Sequence, residues 1–134
     1  MKPGAVAQTE RLLEVAAARW TPVTSRGHAL GDRWLVGLAD GRTVFAKRAI
    51  DEPTADWLRA EHVVYRALAA PFLPQLLGWE DGMLPLLLLE DLSGAAWPPP
   101  WSRDSVDAVL QALDELAATR PPDGLARLAD SAPT

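Results

Sequence analysis

A continuous apolar run at 84–89, Leu-Pro-Leu-Leu-Leu-Leu, constrains the fold more than any other segment of this chain. An unbroken run of this length is typical of a β-strand that is buried on both faces of a sheet. Pro85 has no backbone N–H to donate, so it fits a strand only near its start or at an edge. The sequence therefore predicts a buried strand that ends at Leu89 and is followed by the acidic residues Glu90 and Asp91.

Turn signals and short apolar segments predict four more strands, at 20–25, 33–38, 43–49 and 76–79. Asp40-Gly41 separates the second strand from the third. It is a strong hairpin signal, because this dipeptide accepts the positive φ of a tight turn. Asp81-Gly82 predicts a second turn, just before the apolar run.

Three helices complete the predicted fold. They are expected at 8–19, at 54–70 with Thr54 as N-cap, and at 102–118 with Ser102 as N-cap. The last helix has one apolar face, formed by Val106, Val109, Leu110, Leu113 and Leu116. We therefore predict an α+β fold: a five-stranded antiparallel sheet with one packed helix, an N-terminal helix and a C-terminal linker helix. The corresponding division of the chain is 1–19, 20–94 and 95–134.

Lys47 is the one internal lysine in a chain whose basic residues, apart from Lys2, are otherwise all arginines. The period-two alternation of the third strand puts Phe45 and Lys47 on one face and Val44 and Ala46 on the other. A compact ammonium on a flexible stem is suited to holding one phosphate oxygen or one carboxylate. The alternative is a stem that lies along apolar surface with its charged head in water.

Glu61 falls near the middle of the apolar stripe predicted for the 54–70 helix. This stripe consists of Trp57, Ala60, Val64 and Leu68, which recur with a period of 3.6 residues, and Leu58 and Tyr65 lie at its margin. A buried carboxylate needs a cation or a set of hydrogen-bond donors, since burial of an unpaired charge is costly. We therefore expect an ion pair between Glu61 and Lys47. In the alternative, Glu61 reaches the edge of the helix and pairs with Arg48 or Arg59.

The composition excludes several other classes of protein. The chain has no cysteine, which rules out disulfides and thiolate metal sites. A net charge of −5 argues against a general nucleic-acid binder. The first residues lack the apolar stretch of a signal peptide, and no run approaches the roughly 18 apolar residues of a membrane span. We expect a cytoplasmic protein that binds neither nucleic acid nor membranes.

The order of these features resembles the N-terminal lobe of the protein-kinase-like phosphotransferases, in particular their aminoglycoside phosphotransferase and choline kinase branch. The resemblance spans roughly residues 20–116 and rests on three short motifs. These are Ala39-Asp40-Gly41-Arg42 leading into Val44-Phe45-Ala46-Lys47, then Leu58-Arg59-Ala60-Glu61, then Leu87-Leu88-Leu89-Glu90-Asp91-Leu92-Ser93-Gly94.

The resemblance implies that ATP is the cofactor. Lys47 would hold the α- and β-phosphates, and Glu61 would orient Lys47. The third motif, at 87–94, resembles the family's hinge. This hinge would present backbone groups to adenine, namely the carbonyl of Glu90 and the amide and carbonyl of Leu92. Leu89 would close the back of the pocket.

Two further positions depart from the family's usual pattern. Phe45 is bulkier than the small residue often found two positions before the lysine, so it would narrow the pocket or stack on the base. Ser25 and Gly27 belong to a loop whose backbone amides and hydroxyl would contact phosphate. That loop lacks the full Gly-x-Gly-x-x-Gly pattern, and a plain surface loop is equally compatible with it.

The sequence has no asparagine and no His-x-Asp triplet. In this family a catalytic loop with these residues supplies the base and part of the magnesium site. We therefore expect a nucleotide-binding lobe of a small-molecule kinase, with no catalytic residue or metal ligand of its own. Mg²⁺ and an acceptor, favoured to be an aminoglycoside-type antibiotic, would be bound through a missing lobe. The alternative is a non-catalytic nucleotide- or partner-binding module, which self-associates through the 102–118 helix.

Overall fold

The fold is that of a computed structural model, which describes residues 3–24, 31–68 and 70–125. It is α+β, with three helices and an open five-stranded antiparallel sheet in the described residues, as predicted. In chain order the elements are α1 (Pro3–Leu13), β1 (Ala17–Pro22), β2 (Asp32–Leu38), β3 (Thr43–Arg48), α2 (Glu52–Ala67), β4 (Leu76–Glu80), β5 (Leu86–Glu90) and α3 (Arg103–Ala118).

The sheet has the strand order β1-β2-β3-β5-β4, and all neighbouring strands are antiparallel. β5 therefore lies between β3 and β4. Its side chains Leu86, Leu87 and Leu88 are fully buried, which confirms the prediction for the apolar run. Pro85 precedes the strand, and its carbonyl accepts a hydrogen bond from the Ala49 N–H (3.1 Å). Because each fully buried leucine contributes roughly 1.5–3 kcal/mol, β5 is the main anchor of the core.

Each face of the sheet is covered by a different helix. α1 covers one face through Ala5 and Leu12, above a core that contains Trp34, Val36, Leu38, Val44, Ala46, Leu86 and Leu88. α2 covers part of the opposite face, over β4 and β5, through Ala55 and Leu58. The period-two alternation of β3 is confirmed: Val44 and Ala46 belong to the α1 side, and Phe45 to the α2 side.

The predicted helix at 8–19 is wrong in its position. α1 ends at Leu13, because Glu14 adopts a left-handed backbone conformation (φ 55°) that terminates the helix. The chain then enters β1, which starts at Ala17 rather than at residue 20. Antiparallel pairing of β1 with β2 outweighs the helix propensity of the alanine-rich segment at 16–18.

The N-cap of α2 is Asp51 and not Thr54 as predicted. The Asp51 carboxylate accepts a hydrogen bond from the Thr54 N–H (2.9 Å), and the Thr54 hydroxyl accepts one from the Asp51 N–H (3.1 Å). Pro53 is compatible with the first turn, where its missing N–H has no partner within the helix. The reciprocal bonds of this capping box explain why the helix begins before the proline.

The predicted apolar stripe of α2 is also wrong. Trp57 is 54% exposed, and Ala60 is exposed as well. The helix packs instead through Ala55, Leu58 and Tyr65. Apolar residues occur on two adjacent sides of this helix, so the sequence period alone does not decide which side meets the sheet.

α3 follows the prediction at both ends. The Ser102 hydroxyl accepts a hydrogen bond from the Ser105 N–H (3.0 Å), and the helix ends at Ala118. Its predicted apolar face is 42–55% exposed, at Val106, Val109, Leu110, Leu113 and Leu116. Within the described ranges, no helix is both long enough and apolar enough to cross a membrane.

Candidate functional site

Lys47 and Glu61 form the predicted ion pair. Lys47 Nζ donates to both carboxylate oxygens of Glu61, at 2.6 Å to Oε1 and 2.8 Å to Oε2. Arg59, one of the alternative partners, contacts Asp56 and Asp81 instead. The contact joins the end of β3 to the middle of α2. Along the chain, a short turn and the capping box of Asp51 and Thr54 lie between these two elements.

The two elements bring this pair together for a reason that differs from the predicted one. Glu61 lies one turn after the buried Leu58, beside the packed face of α2 rather than at the centre of an apolar stripe. The Lys47 and Glu61 side chains are 28% and 30% exposed. The pair is therefore half-buried at the margin where α2 leaves the sheet.

An ion pair this exposed contributes little to stability, since exposed pairs are typically worth about 0–1 kcal/mol. Its geometry nevertheless fixes the ammonium group. The Lys47 ammonium has three N–H groups, and two of them donate hydrogen bonds to Glu61. The third can donate to another acceptor, such as an oxygen of a bound anion.

A cavity of about 120 Å³ adjoins the pair, between α2 and the ends of β2 and β3. Arg33, Lys47 and Glu61 face it, two cations against one carboxylate. Asp32 and Arg48 also border it, but strand alternation directs their side chains to the other face of the sheet, where the Arg48 guanidinium lies beside Gly4 of α1. The chain as a whole has a net charge of −5, so this excess of positive charge is local. The half-exposed indole of Trp57 also contributes to the wall. The cavity is suited to an anionic group.

Arg33, Arg48 and Trp57 were not among the residues that the sequence predicted for this site. A signal for Arg33 exists, because β2 alternates in burial and Trp34 and Val36 are buried on the α1 side. The same alternation places Arg33 on the face of Lys47. No comparable signal exists for Trp57, whose position depends on how α2 is rotated against the sheet.

Leu89 and Phe45 lie opposite each other in the β3–β5 register. Leu89 is buried and Phe45 is half-buried, and both belong to the core cluster on the α2 side. Phe45 is therefore on the same face as Lys47, two residues nearer to the hinge. Neither residue lines the cavity beside Lys47 and Glu61.

Glu90 ends β5 opposite Val44, at the other end of β3 from Lys47. Its N–H donates to the Gln75 carbonyl (2.9 Å). In a regular antiparallel pair the Gln75 N–H would return a bond to the Glu90 carbonyl. Here it donates to the Glu90 carboxylate, at 3.1 Å. The Gln75 N–H therefore does not use the Glu90 carbonyl, which is the group that the resemblance assigns to adenine.

Leu92 differs from the expectation. Its carbonyl accepts hydrogen bonds from the Ala95 N–H and from the Trp97 indole N–H, both at 3.0 Å. The turn after β5 therefore uses the lone pairs of the carbonyl that the resemblance assigned to adenine. The Leu92 amide, which the resemblance also assigns to adenine, takes no part in these two hydrogen bonds.

Asp91 stabilises this turn. Its carboxylate accepts a hydrogen bond from the Ser93 N–H (2.8 Å). Burial acts to raise the pKa of Asp91, but hydrogen bonds from Ser93 and Thr43 outweigh burial and hold the pKa below its usual value. The segment that follows β5 is thus held by short-range contacts to a charged side chain.

Ser25 and Gly27 lie outside the described residues. Gly31, at the end of the same loop, has a positive φ of 153°. A Cβ at this position would lie 2.6 Å from the Arg48 carbonyl oxygen. This close approach gives the glycine a packing role at the mouth of the cavity.

A second, larger cavity of about 440 Å³ lies at the C-terminal end of α2, against Leu68, Pro71 and Glu90. Tyr65 is on its wall, and burial together with the nearby charge of Glu61 raises the pKa of the Tyr65 phenol. In the part of the chain that the structure describes, no group of three or more His, Cys, Asp or Glu side chains is arranged to hold a metal ion.

Comparison of the sequence with protein-family models and with curated proteins gives no match.

Proposed function

We propose that this domain is the nucleotide-binding lobe of a phosphotransferase, which moves the γ-phosphoryl group of ATP to a hydroxyl of a small molecule. The observation that carries the proposal is the double contact of Lys47 Nζ with Glu61, at 2.6 and 2.8 Å, beside a cavity with an excess of positive charge. Such a pair adds little stability at this exposure, so binding of an anion is a better explanation of its geometry.

In this proposal the residues of the chain have the following roles. Glu61 holds Lys47, and Lys47 neutralises the charge of the α- and β-phosphates. The Glu90 carbonyl and the Leu92 amide bind the base, with Leu89 behind it and Phe45 beside it. The positively lined cavity fits a polyphosphate, whose remaining charge Mg²⁺ would neutralise. The general base, the magnesium ligands and the acceptor site, favoured to be for an aminoglycoside-type antibiotic, would come from a second lobe.

Calorimetric titration with Mg-ATP tests the nucleotide-binding role directly. We expect Lys47→Ala to weaken binding at least about tenfold, because a charge-assisted hydrogen bond is worth roughly 1.5–3 kcal/mol. Lys2→Ala is the matched control, since it removes the only other lysine of the chain. Equal affinities of the wild type and Lys47→Ala would refute the proposal, as would a wild type that binds no nucleotide.

A second candidate function, a partner-binding module, is favoured by the exposed apolar face of α3. Five branched aliphatic side chains on one helix are 42–55% exposed, and two copies of the helix would bury them against each other. We expect sedimentation velocity to detect a dimer that Leu110→Asp abolishes. Gln111→Asp introduces the same charge on the opposite side of the helix and should leave the dimer intact. A wild type that is monomeric at high concentration would rule out self-association.

A further inference from the structure

We propose that Arg33 is a second phosphate ligand, and that Arg33 and Lys47 together hold two neighbouring phosphate groups of one polyphosphate. The site would then select nucleoside di- and triphosphates over monophosphates. This inference rests on the proposed nucleotide-binding function for the identity of the ligand. The paired cations themselves follow from the register of β2 and β3.

Arg33 and Lys47 are directly opposite each other in the antiparallel pairing of β2 with β3. The Cα atoms of such partners are about 4.5–5.5 Å apart, and their side chains leave the sheet on the same face. That face is opposite α1, because the next pair in the register, Trp34 and Ala46, is buried in the core on the α1 side. Both cations therefore lie on the α2 side, and both line the cavity.

Lys47 occupies the middle of this arrangement. β3 has β5 on one side and β2 on the other, and α2 covers the β5 side. Glu61 thus approaches Lys47 from the β5 side, and Arg33 lies on the β2 side. The third N–H of Lys47 can donate a hydrogen bond to an anion on the uncovered part of this face. Such an anion lies beside Arg33.

The direction of β3 fits a nucleotide that runs along it. Glu90, at the hinge, is opposite Val44, and Lys47 is three residues further along the strand. At about 3.3 Å per residue, this places the two cations roughly 10 Å from the hinge end. With the base near Phe45, the phosphates reach the cations at the far end of the same face.

The chemistry of the two side chains is complementary. The ammonium of Lys47 acts as a point charge, while the planar guanidinium of Arg33 can hold a phosphate with two parallel hydrogen bonds. Arg33 and Lys47 are like charges directly opposite each other on one face of the sheet, so a polyanion lowers the repulsion between them. A monophosphate can contact Lys47 alone, whereas two neighbouring phosphate groups can contact Lys47 and Arg33 together.

Calorimetric titration of the full chain with Mg-ATP, Mg-ADP, AMP and inorganic tripolyphosphate tests this inference. We expect Arg33→Gln to weaken ATP, ADP and tripolyphosphate about 10- to 100-fold and to leave AMP nearly unchanged, because charge-assisted hydrogen bonds are lost only for the longer ligands. Arg103→Gln, at the exposed start of α3, removes the same charge far from the cavity and should change none of these affinities. Arg33→Lys keeps the charge but loses the fork, so we expect a partial loss that also spares AMP.

The outcomes separate the inference from the function on which it rests. If Lys47→Ala weakens ATP but Arg33→Gln behaves like Arg103→Gln, Arg33 is not a phosphate ligand and the nucleotide-binding proposal stands. If tripolyphosphate binds in an Arg33-dependent way and nucleotides do not bind, the paired cations stand and the nucleotide function falls. If Arg33→Gln does not fold, the ratio of ADP to AMP affinity in Arg33→Lys decides, and an unchanged ratio overturns the inference.

Discussion

Glu61→Gln distinguishes a functional ion pair from a purely structural one. The substitution keeps the size of the side chain and removes its charge, so Lys47 loses its ionic partner. At 28% and 30% exposure, solvent screens the pair, and its removal should cost no more than about 1 kcal/mol of unfolding free energy. For a domain of this length, that corresponds to a fall of roughly 3–5 °C in Tm. We expect a much larger effect on Mg-ATP affinity, because Lys47 is no longer held toward the phosphates.

Glu80→Gln is a close match as a control. Glu80 pairs with Arg11 at 2.7 Å, and its side chain is 29% exposed, almost the same as that of Glu61. Urea unfolding should therefore give similar small losses for the two variants, and titration with Mg-ATP should separate them. A loss of more than about 3 kcal/mol for Glu61→Gln would contradict this reasoning, because losses of that size are typical of a broken, fully buried pair. Unchanged nucleotide affinity would mean that the pair has only a structural role.

Two further predictions concern residues that stabilise the elements around the site, namely the N-cap of α2 and the glycine before β2. Hydrogen bonds from Thr54 lower the pKa of Asp51, so its stabilising effect is complete above the ordinary carboxyl pKa and is lost as the pH falls through the lowered one. Thermal melts between pH 2 and about 6 should show this acid-side loss, and Asp51→Asn should flatten it; an unaltered pH profile would mean that this cap does not contribute. Gly31→Ala should destabilise the chain in urea, because its Cβ would lie 2.6 Å from a backbone carbonyl. Gly94→Ala, where a Cβ meets nothing within 4 Å, is the control, and equal unfolding curves would refute the prediction.

Several features of the fold could be predicted because short-range chemistry determines them. Ser102 caps α3 because its hydroxyl is within reach of the first free amides of the helix. The leucines at 86–89 of the apolar run lie in a buried strand, since only a position covered on both sides accommodates so many consecutive leucines. The pairing of Lys47 with Glu61 was also predicted, because a carboxylate among apolar helix positions needs a cation and Lys47 is the one lysine on a neighbouring strand.

Other features could not be predicted, because they depend on contacts between distant segments. The segment after Leu13 joins the sheet, although its alanines favour a helix, because β2 offers it a partner strand. α2 turns Leu58 and not Trp57 toward the sheet, since the space above Leu87 and Leu89 selects one of two apolar sides.

The sequence by itself determined the class of fold and the buried central strand, because strand alternation, turn residues and helix caps act over a few residues. Only the tertiary structure decided which side of α2 is packed and which cations share the cavity. Arg33 and Lys47 are 14 positions apart in the chain, and it is the antiparallel register of β2 and β3 that puts them side by side. The physical reason is that a register is chosen by the burial of the whole sheet, whereas each local signal depends only on its immediate neighbours.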